Sequence, residues 1–479
     1  MNNVVDVVVV GAGLSGIGLG YYLKKLCPQK SLLILEGREN LGGTWDLFKY
    51  PGIRSDSDMY TYGYQFNPWT ERDSLATGSR ICDYLRHTAE KFGIDKHIRY
   101  QHKVTHLNWN SQTKRWELNV STPEGDSVIE AQFVFSCSGY YDYSQGYSPQ
   151  FEGSDDFKGT LVHPQFWPEN LDYQDKNVVV IGSGATAVTL VPNLAQKAKH
   201  VVMLQRTPTY ILSRPQRDLL TKVAQALLPK NIASQLVRKK NIWLGKFYFK
   251  YMTKNPDKAK KIIAKRRQAL LTSPVDDKHF TPNYNPWEQR LCLVPDADLF
   301  NSLNEGKASI VTDEISRFTP TGIETKSKQH LDADIIITAT GLKLLFMSGV
   351  ELCIDGVPQD IGSKMFYQGV LLQDVPNFGM LFGYTNASWT LKVELVSQYI
   401  CRLINHLDEQ KANYFVPTAS SQIKPEPFIN LSSGYFKRAQ DSIPKQGHIA
   451  PWRLDQDYDI DKVRLTKAAF PASGLEVHV

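Results

Sequence analysis

No C-x-x-C pair occurs in this sequence, whose six cysteines, Cys27, Cys82, Cys137, Cys292, Cys353 and Cys401, are scattered without metal-ligand spacing. That argues against a paired-cysteine disulfide reductase, a zinc site or a disulfide framework, and fits a reducing, cytoplasmic setting. Long apolar runs are also missing, since none approaches the roughly 20 residues needed to span a bilayer. The N-terminus enters a strand-like stretch at Val4 without the basic start or cleavage site of a signal peptide. Low-complexity tracts and short repeats are absent. What is present is the composition of a globular protein, 479 residues and 42% hydrophobic, long enough for two or three domains with their own cores.

Acidic residues are nearly missing from one stretch. Residues 222–267 hold fourteen Lys or Arg and a single acid, Asp257, together with Trp243, Phe247, Tyr248, Phe249, Tyr251 and Met252. No nucleic-acid motif accompanies the charge. The segment is expected to be a solvated helical insertion whose aromatics pack onto the body of the protein, with weak association at an anionic membrane surface as the alternative.

Strand–glycine–helix signals divide the chain. Residues 6–10, the turn Gly11-Ala-Gly13-Leu-Ser-Gly16, an apolar helix to about Leu26 and the strand 31–36 make a complete β-α-β unit. The same unit returns at 176–181, with Gly182-Ser183-Gly184-Ala185-Thr186-Ala187, a helix to about Lys197 and the strand 200–205. A strand at 133–139 has the same shape and closes the first segment. Another buried strand, 333–341, is expected to return the chain to the first sheet. The predicted fold is α/β: two Rossmann-like dinucleotide-binding domains, the first formed by 1–150 and 342–479, the second by 151–341 with the insertion at about 215–280.

In the first unit Gly11 allows the tight turn, Gly13 lets the backbone approach a pyrophosphate at the helix N-terminus, and Gly16 lets helix and strand pack. Glu36, twenty residues on, suits the 2′-hydroxyl of an unphosphorylated ribose, as in FAD or NAD. In the second unit the equivalent position is Arg206, followed by Thr207, which suits a 2′-phosphate and hence NADP. Two different dinucleotide sites in one chain imply electron transfer between them.

Residues 157–168, with Phe157, Gly159, His163, Trp167 and Pro168, match F-x-G-x-x-x-H-x-x-x-W-P, the fingerprint of type I Baeyer–Villiger monooxygenases. The run 42–56, from Gly42-Gly43-Thr44-Trp45 through Tyr50-Pro51-Gly52 to Asp56, resembles that family's second fingerprint. With Asn285-Pro-Trp-Glu-Gln289-Arg290 and Gly383-Tyr-Thr-Asn-Ala-Ser-Trp389, the chain resembles the branch that includes the ethionamide-activating monooxygenases, over nearly its whole length.

The resemblance implies that NADPH reduces FAD and that O2 then gives a C4a-peroxyflavin, which converts ketones to esters or lactones and sulfides to sulfoxides. It places FAD on Gly11, Gly13, Ser15, Gly16, Glu36, Gly43, Thr44, Trp45, Asp56 and Val104, and NADP on Gly182, Ser183, Gly184, Ala185, Thr186, Arg206 and Thr207. Arg290 is implied as the catalytic cation, with Asp56 as its partner; an arginine stays charged at any working pH and suits a developing anion. His163 reads as a hinge residue, not a general base. Gln289 departs from the lysine that many relatives carry to hold NADPH. A flavin-containing or N-hydroxylating monooxygenase, and an idle nucleotide-binding protein at a membrane surface, remain the alternatives.

Overall fold

The strand Val4–Val10 turns Val7 and Val9 towards one hydrophobic core and Val8 towards another, as period-two alternation requires of a strand buried on both faces. In the computed structural model, which describes residues 4–289, 291–428, 434–470 and 472–479, this strand lies between Leu32–Leu35 and Gly125–Ser136, parallel to both. They belong to an eleven-stranded sheet whose strands come from residues 4–136 and 351–380. The helix Leu14–Leu26 covers one face and packs against the long helix Trp389–Gln410.

The second sheet repeats the logic. Its five strands are all parallel, in the order Ala308–Thr312, His200–Gln205, Asn177–Ile181, Ile335–Thr338, Thr160–Val162. Val178 and Val180 face one core and Val179 and Ile181 the other. The α/β fold with two dinucleotide-type units is therefore present. The strand expected to return the chain to the first sheet does not do so: Ile335–Thr338 pairs with Asn177–Ile181 and Thr160–Val162 inside the second sheet. The chain goes back only after it, through an antiparallel ribbon in which Leu342–Leu344 pairs with Tyr141–Gly146.

The insertion forms three helices, Leu219–Leu227, Lys230–Lys254 and Pro256–Gln268. Arg238 anchors the middle one to the first-sheet body, donating to the carbonyls of Tyr60, Thr61 and Gly63 and pairing with Glu394 at 2.7 Å, with both side chains buried. The expectation that the aromatics of this segment pack inward holds only in part. Met252 is buried and Phe249 meets Trp287 edge-on at 5.2 Å, but Trp243, Phe247 and Tyr248 are exposed. No helix among the described residues is long and apolar enough to cross a membrane.

Candidate active site

A cavity of about 1600 Å³ runs between the two sheets and under the insertion. It is larger than the roughly 300–1,000 Å³ of a site for one drug-sized ligand, so it has room for more than one. Of the residues singled out from sequence, Gly11, Gly13, Ser15, Glu36, Gly43, Thr44, Trp45, Asp56, Val104, Ala185, Thr186 and Gln289 line it. Gly16, Gly182, Ser183, Gly184, Arg206 and Thr207 do not, and neither do Phe157, Gly159, His163 and Trp167. Arg290 lies outside the described residues; Gln289 and Leu291 on either side of it both line the cavity.

The first glycine turn is shaped by contacts that admit no side chain. Gly11 has φ +103°, and a Cβ on Gly16 would fall 1.9 Å from the Gly11 carbonyl oxygen, so the helix sits directly on the turn. The helix begins at Gly13 with no side chain capping it, which leaves its first N–H groups available to an anion. Opposite stands Gly43, φ +56°, so close that a Cβ there would lie 3.2 Å from Gly13 Cα. At the end of the second strand the buried Glu36 carboxylate accepts from Ala12 N at 2.8 Å and Arg38 N at 3.0 Å. Burial pushes its pKa up, against the opposing effect of those two N–H donors.

Residues 42–58 wedge between the sheets. Phe48 and Tyr50 are buried in the second sheet's core although they follow the first unit in sequence. Arg54 pairs with Asp298 of that second body at 2.7 Å, leaving its other terminal nitrogen buried without a hydrogen-bond partner. The Trp45 indole donates to Tyr62 Oη at 2.7 Å, and Thr44 bonds the Tyr143 hydroxyl at 3.3 Å. Asp58, two residues beyond Asp56, caps the helix Met59–Tyr62 and accepts from Asn241 at 2.8 Å. Sequence reading missed Arg54, Asp58, Tyr143 and Asp298, because their partners are distant in the chain. Trp389 was noted only inside a motif; its indole donates to Ser15 Oγ at 2.9 Å, so the cavity loop and the first glycine turn are tied together.

The second glycine turn faces outward. A Cβ on Gly182 would meet the Ala339 carbonyl oxygen at 2.4 Å, whereas one on Gly184 would meet nothing within 4 Å. The helix Ala185–Leu194 also starts without a side-chain cap. Ser183 donates to the Thr207 carbonyl at 2.7 Å, holding the turn against the end of the neighbouring strand, where Arg206 is exposed.

The residues 157–168 form the edge of the second sheet. Phe157 is buried against Phe318, and a Cβ on Gly159 would collide with both the Phe157 ring and the Asp334 carbonyl oxygen. His163 caps a 3-10 turn, its Nδ1 accepting from Gln165 N at 3.2 Å. Its imidazole lies over Gly146 in the ribbon between the sheets, where a Cβ would be 2.0 Å from His163 Cε1. Burial holds the imidazole pKa below the ordinary histidine value. Trp167 is half-buried against the second sheet's core.

The family model described as FMO-like, flavin-binding monooxygenase-like, matches residues 6–268. The chain is 49% identical over 472 residues to the FAD-containing monooxygenase EthA of Mycobacterium tuberculosis strain H37Rv, covering 98% of this chain and 96% of that protein. It is 46% identical over 474 residues to the probable FAD-binding monooxygenase AlmA of Acinetobacter baylyi, covering 98% and 95%. Among solved structures, oxidized steroid monooxygenase bound to NADP superposes with a TM-score of 0.79 at 21% identity over 99% of both chains. An open form of cyclohexanone monooxygenase gives 0.78 at 20% identity, over 99% of this chain and 100% of that one. The structures speak to the fold and the sequence relatives to descent: the chain belongs to the flavin-binding monooxygenase-like family.

Proposed function

We propose that this protein is an FAD- and NADPH-dependent monooxygenase of the Baeyer–Villiger type, which inserts one oxygen atom of O2 into a ketone to give an ester or lactone and also oxidises sulfides. The other oxygen atom leaves as water, with the two electrons of NADPH. One observation carries the reading. A single cavity is lined at once by the first glycine turn, by the run 42–58 and by the first turn of the second nucleotide helix, so ligands held by the two turns meet inside it. In this reading 1–150 and 342–479 hold FAD, and 151–341 hold NADP.

The residues present fit the cofactor. The facing glycines Gly13 and Gly43 and the uncapped helix N-terminus leave a cradle for a pyrophosphate, and Glu36 offers a carboxylate to a ribose hydroxyl. A flavin held there would supply hydride acceptance from NADPH and the activation of O2. The chain's part is to position and to stabilise charge. Trp45, fixed by Tyr62, and Trp389, fixed by Ser15, hold the walls of the cavity. Arg290 supplies the fixed cation, with Asp56 as its orienting acid. The apolar walls keep water from the reacting atoms. Incubation of the purified protein with NADPH, O2 and a panel of ketones, sulfides and amines, with products identified by mass spectrometry, tests the reading: esters support it, and N-oxides alone would replace it with amine oxygenation.

Arg206 is the expected 2′-phosphate contact. Arg206→Ala should raise KM for NADPH by roughly 10 to 100-fold, with much less effect on NADH, as the loss of one charge-assisted contact implies. An unchanged ratio of the two efficiencies would remove Arg206 from cofactor selection.

The ring of His163 over Gly146 is proposed to guide movement between the two nucleotide folds. Gly146→Ala drives a methyl into the imidazole, so flavin reduction should slow by on the order of 10-fold with FAD content unchanged. His163→Ala is likewise expected to retain FAD and lose most oxygenation. Fully coupled, wild-type turnover in both variants would leave the histidine with a structural role only.

A further inference from the structure

Two helices of the insertion turn apolar stripes to solvent. At 100° per residue, Leu219, Leu220, Val223 and Leu227 fall within roughly 100° of arc on the first, and Ile232, Leu236, Trp243 and Phe247 within roughly 60° on the second. All eight are exposed, Leu227 by 76% and Trp243 by 65%. The Trp243 and Phe247 rings stack at 5.6 Å in the open. The two helices pack on each other, so the two exposed stripes are neighbours, and exposed apolar surface of this kind marks a docking site.

The charge around it identifies the partner. Lys222, Lys230, Lys239, Lys254, Lys258 and Lys261 have no ion pair among the described residues, whereas Lys240 and Lys246 are taken up by Asp218 and by Asp457 and Asp459. Asp257, the lone acid of the segment, sits 3.6 Å from Lys260. Lys239 falls just outside the arc of the Trp243 stripe and Lys254 within it, two turns beyond Phe247, placed to lay their apolar stems along it and raise their charges to solvent. A second copy of the chain would bring the same unpaired lysines against these, which opposes self-association. An anionic lipid surface satisfies both features: aromatic and aliphatic residues enter the interfacial zone and lysines meet the headgroups.

The patch also rims the cavity. Leu219 and Leu220, exposed on their outer side, line it together with Leu244 and Tyr248. We propose that the exposed face of the helices Leu219–Leu227 and Lys230–Lys254 docks on an anionic bilayer and turns the cavity mouth towards it, so that lipophilic substrates enter from the membrane. The entry of substrate rests on the monooxygenase reading; the docking does not.

The test is co-sedimentation of the FAD-loaded protein with vesicles of phosphatidylcholine alone or with about 30% phosphatidylglycerol, at about 0.1 M and about 1 M salt. Binding to the anionic vesicles is expected to be at least about 10-fold stronger than to the neutral ones and to weaken in high salt. The double variant Leu227→Gln, Trp243→Gln, whose positions do not line the cavity, should lose at least about 10-fold in binding. Its FAD content and its turnover of a water-soluble ketone should match wild type. Absence of binding to anionic vesicles at low salt, or equal binding by the variant, overturns the proposal. So does a concentration-dependent dimer in sedimentation velocity that the same variant abolishes, since the patch then belongs to a second copy. Docking without turnover of any ketone would overturn only the reading of the active site.

Discussion

Arg290→Ala is expected to leave FAD bound and still bleached by NADPH while ester formation falls by at least about 100-fold, the usual cost of removing one preorganised donor at a developing anion. Retention follows from the proposed cofactor contacts, the glycines of the first turn, Glu36 and the facing Gly43, whose nearest neighbours all lie in residues 9–143. Reduction should survive because the charge that a hydride brings is spread over the ring system, whereas oxygen transfer concentrates negative charge on oxygen, where a fixed cation has to meet it. Uncoupling is the second signature, with NADPH consumed and hydrogen peroxide released in place of product. Asp56→Ala should show a milder form, because in the proposed arrangement it acts through the arginine. Rapid-mixing absorbance separates the two half-reactions. Conversion of ketone by Arg290→Ala at near wild-type rate would end the assignment.

The two nucleotide-binding units were legible in sequence because their signal is local. A strand, a turn with φ available only to glycine, and a helix start all fall within about twenty residues, and the Gly16 contact with the Gly11 carbonyl oxygen is made across five residues. Membership of a sheet is not local. The stretch containing Ile335–Thr338 has the buried apolar pattern ending in a small residue that parallel strands of either sheet present, so nothing in it says which sheet it joins. Its partners Asn177–Ile181 and Thr160–Val162 lie more than 150 residues earlier.

The same distinction runs through the candidate site. Residues marked by a motif, such as Gly13, Glu36 and Trp45, line the cavity, whereas the ion pair Arg54–Asp298 joins positions 244 residues apart and has no sequence signature. The aromatic positions of the insertion show another limit. Trp243 and Phe247 recur at helical spacing, and helical spacing defines a face without saying what covers it; the structure leaves that face to solvent. His163, read from sequence as a hinge residue, has its ring over Gly146 in the strand Tyr141–Gly146, which pairs with Leu342–Leu344.

Arg238→Ala should destabilise the protein by about 3–5 kcal/mol, because it leaves Glu394 buried without its counter-charge and strips the donor from three backbone carbonyls. The penalty should depend on pH in a definite direction. Burial is the main influence on Glu394 and raises its pKa, with Arg238 the largest opposing one; without the guanidinium the carboxyl rises further. An acid whose folded pKa exceeds its unfolded value binds its proton more tightly when folded. Its contribution therefore favours folding at low pH and is lost as pH climbs from the unfolded to the folded pKa, staying constant above. Relative to wild type, the deficit of Arg238→Ala should be greatest near about pH 8 and shrink on approach to the ordinary carboxylate range of about 4–5. Glu394→Gln combined with Arg238→Met should recover the part of the loss that comes from the uncompensated charge, since a neutral, filled pair avoids it. Urea denaturation at each pH, followed by tryptophan fluorescence and by FAD release, measures the difference. A deficit below about 1 kcal/mol at pH 8, or one that does not shrink with acid, would mean that Glu394 finds another partner. The site should feel the change as well: the carbonyls that Arg238 holds belong to Tyr60, Thr61 and Gly63, the segment that follows directly from Asp56 and Asp58, so the cavity wall loosens together with the insertion that covers it.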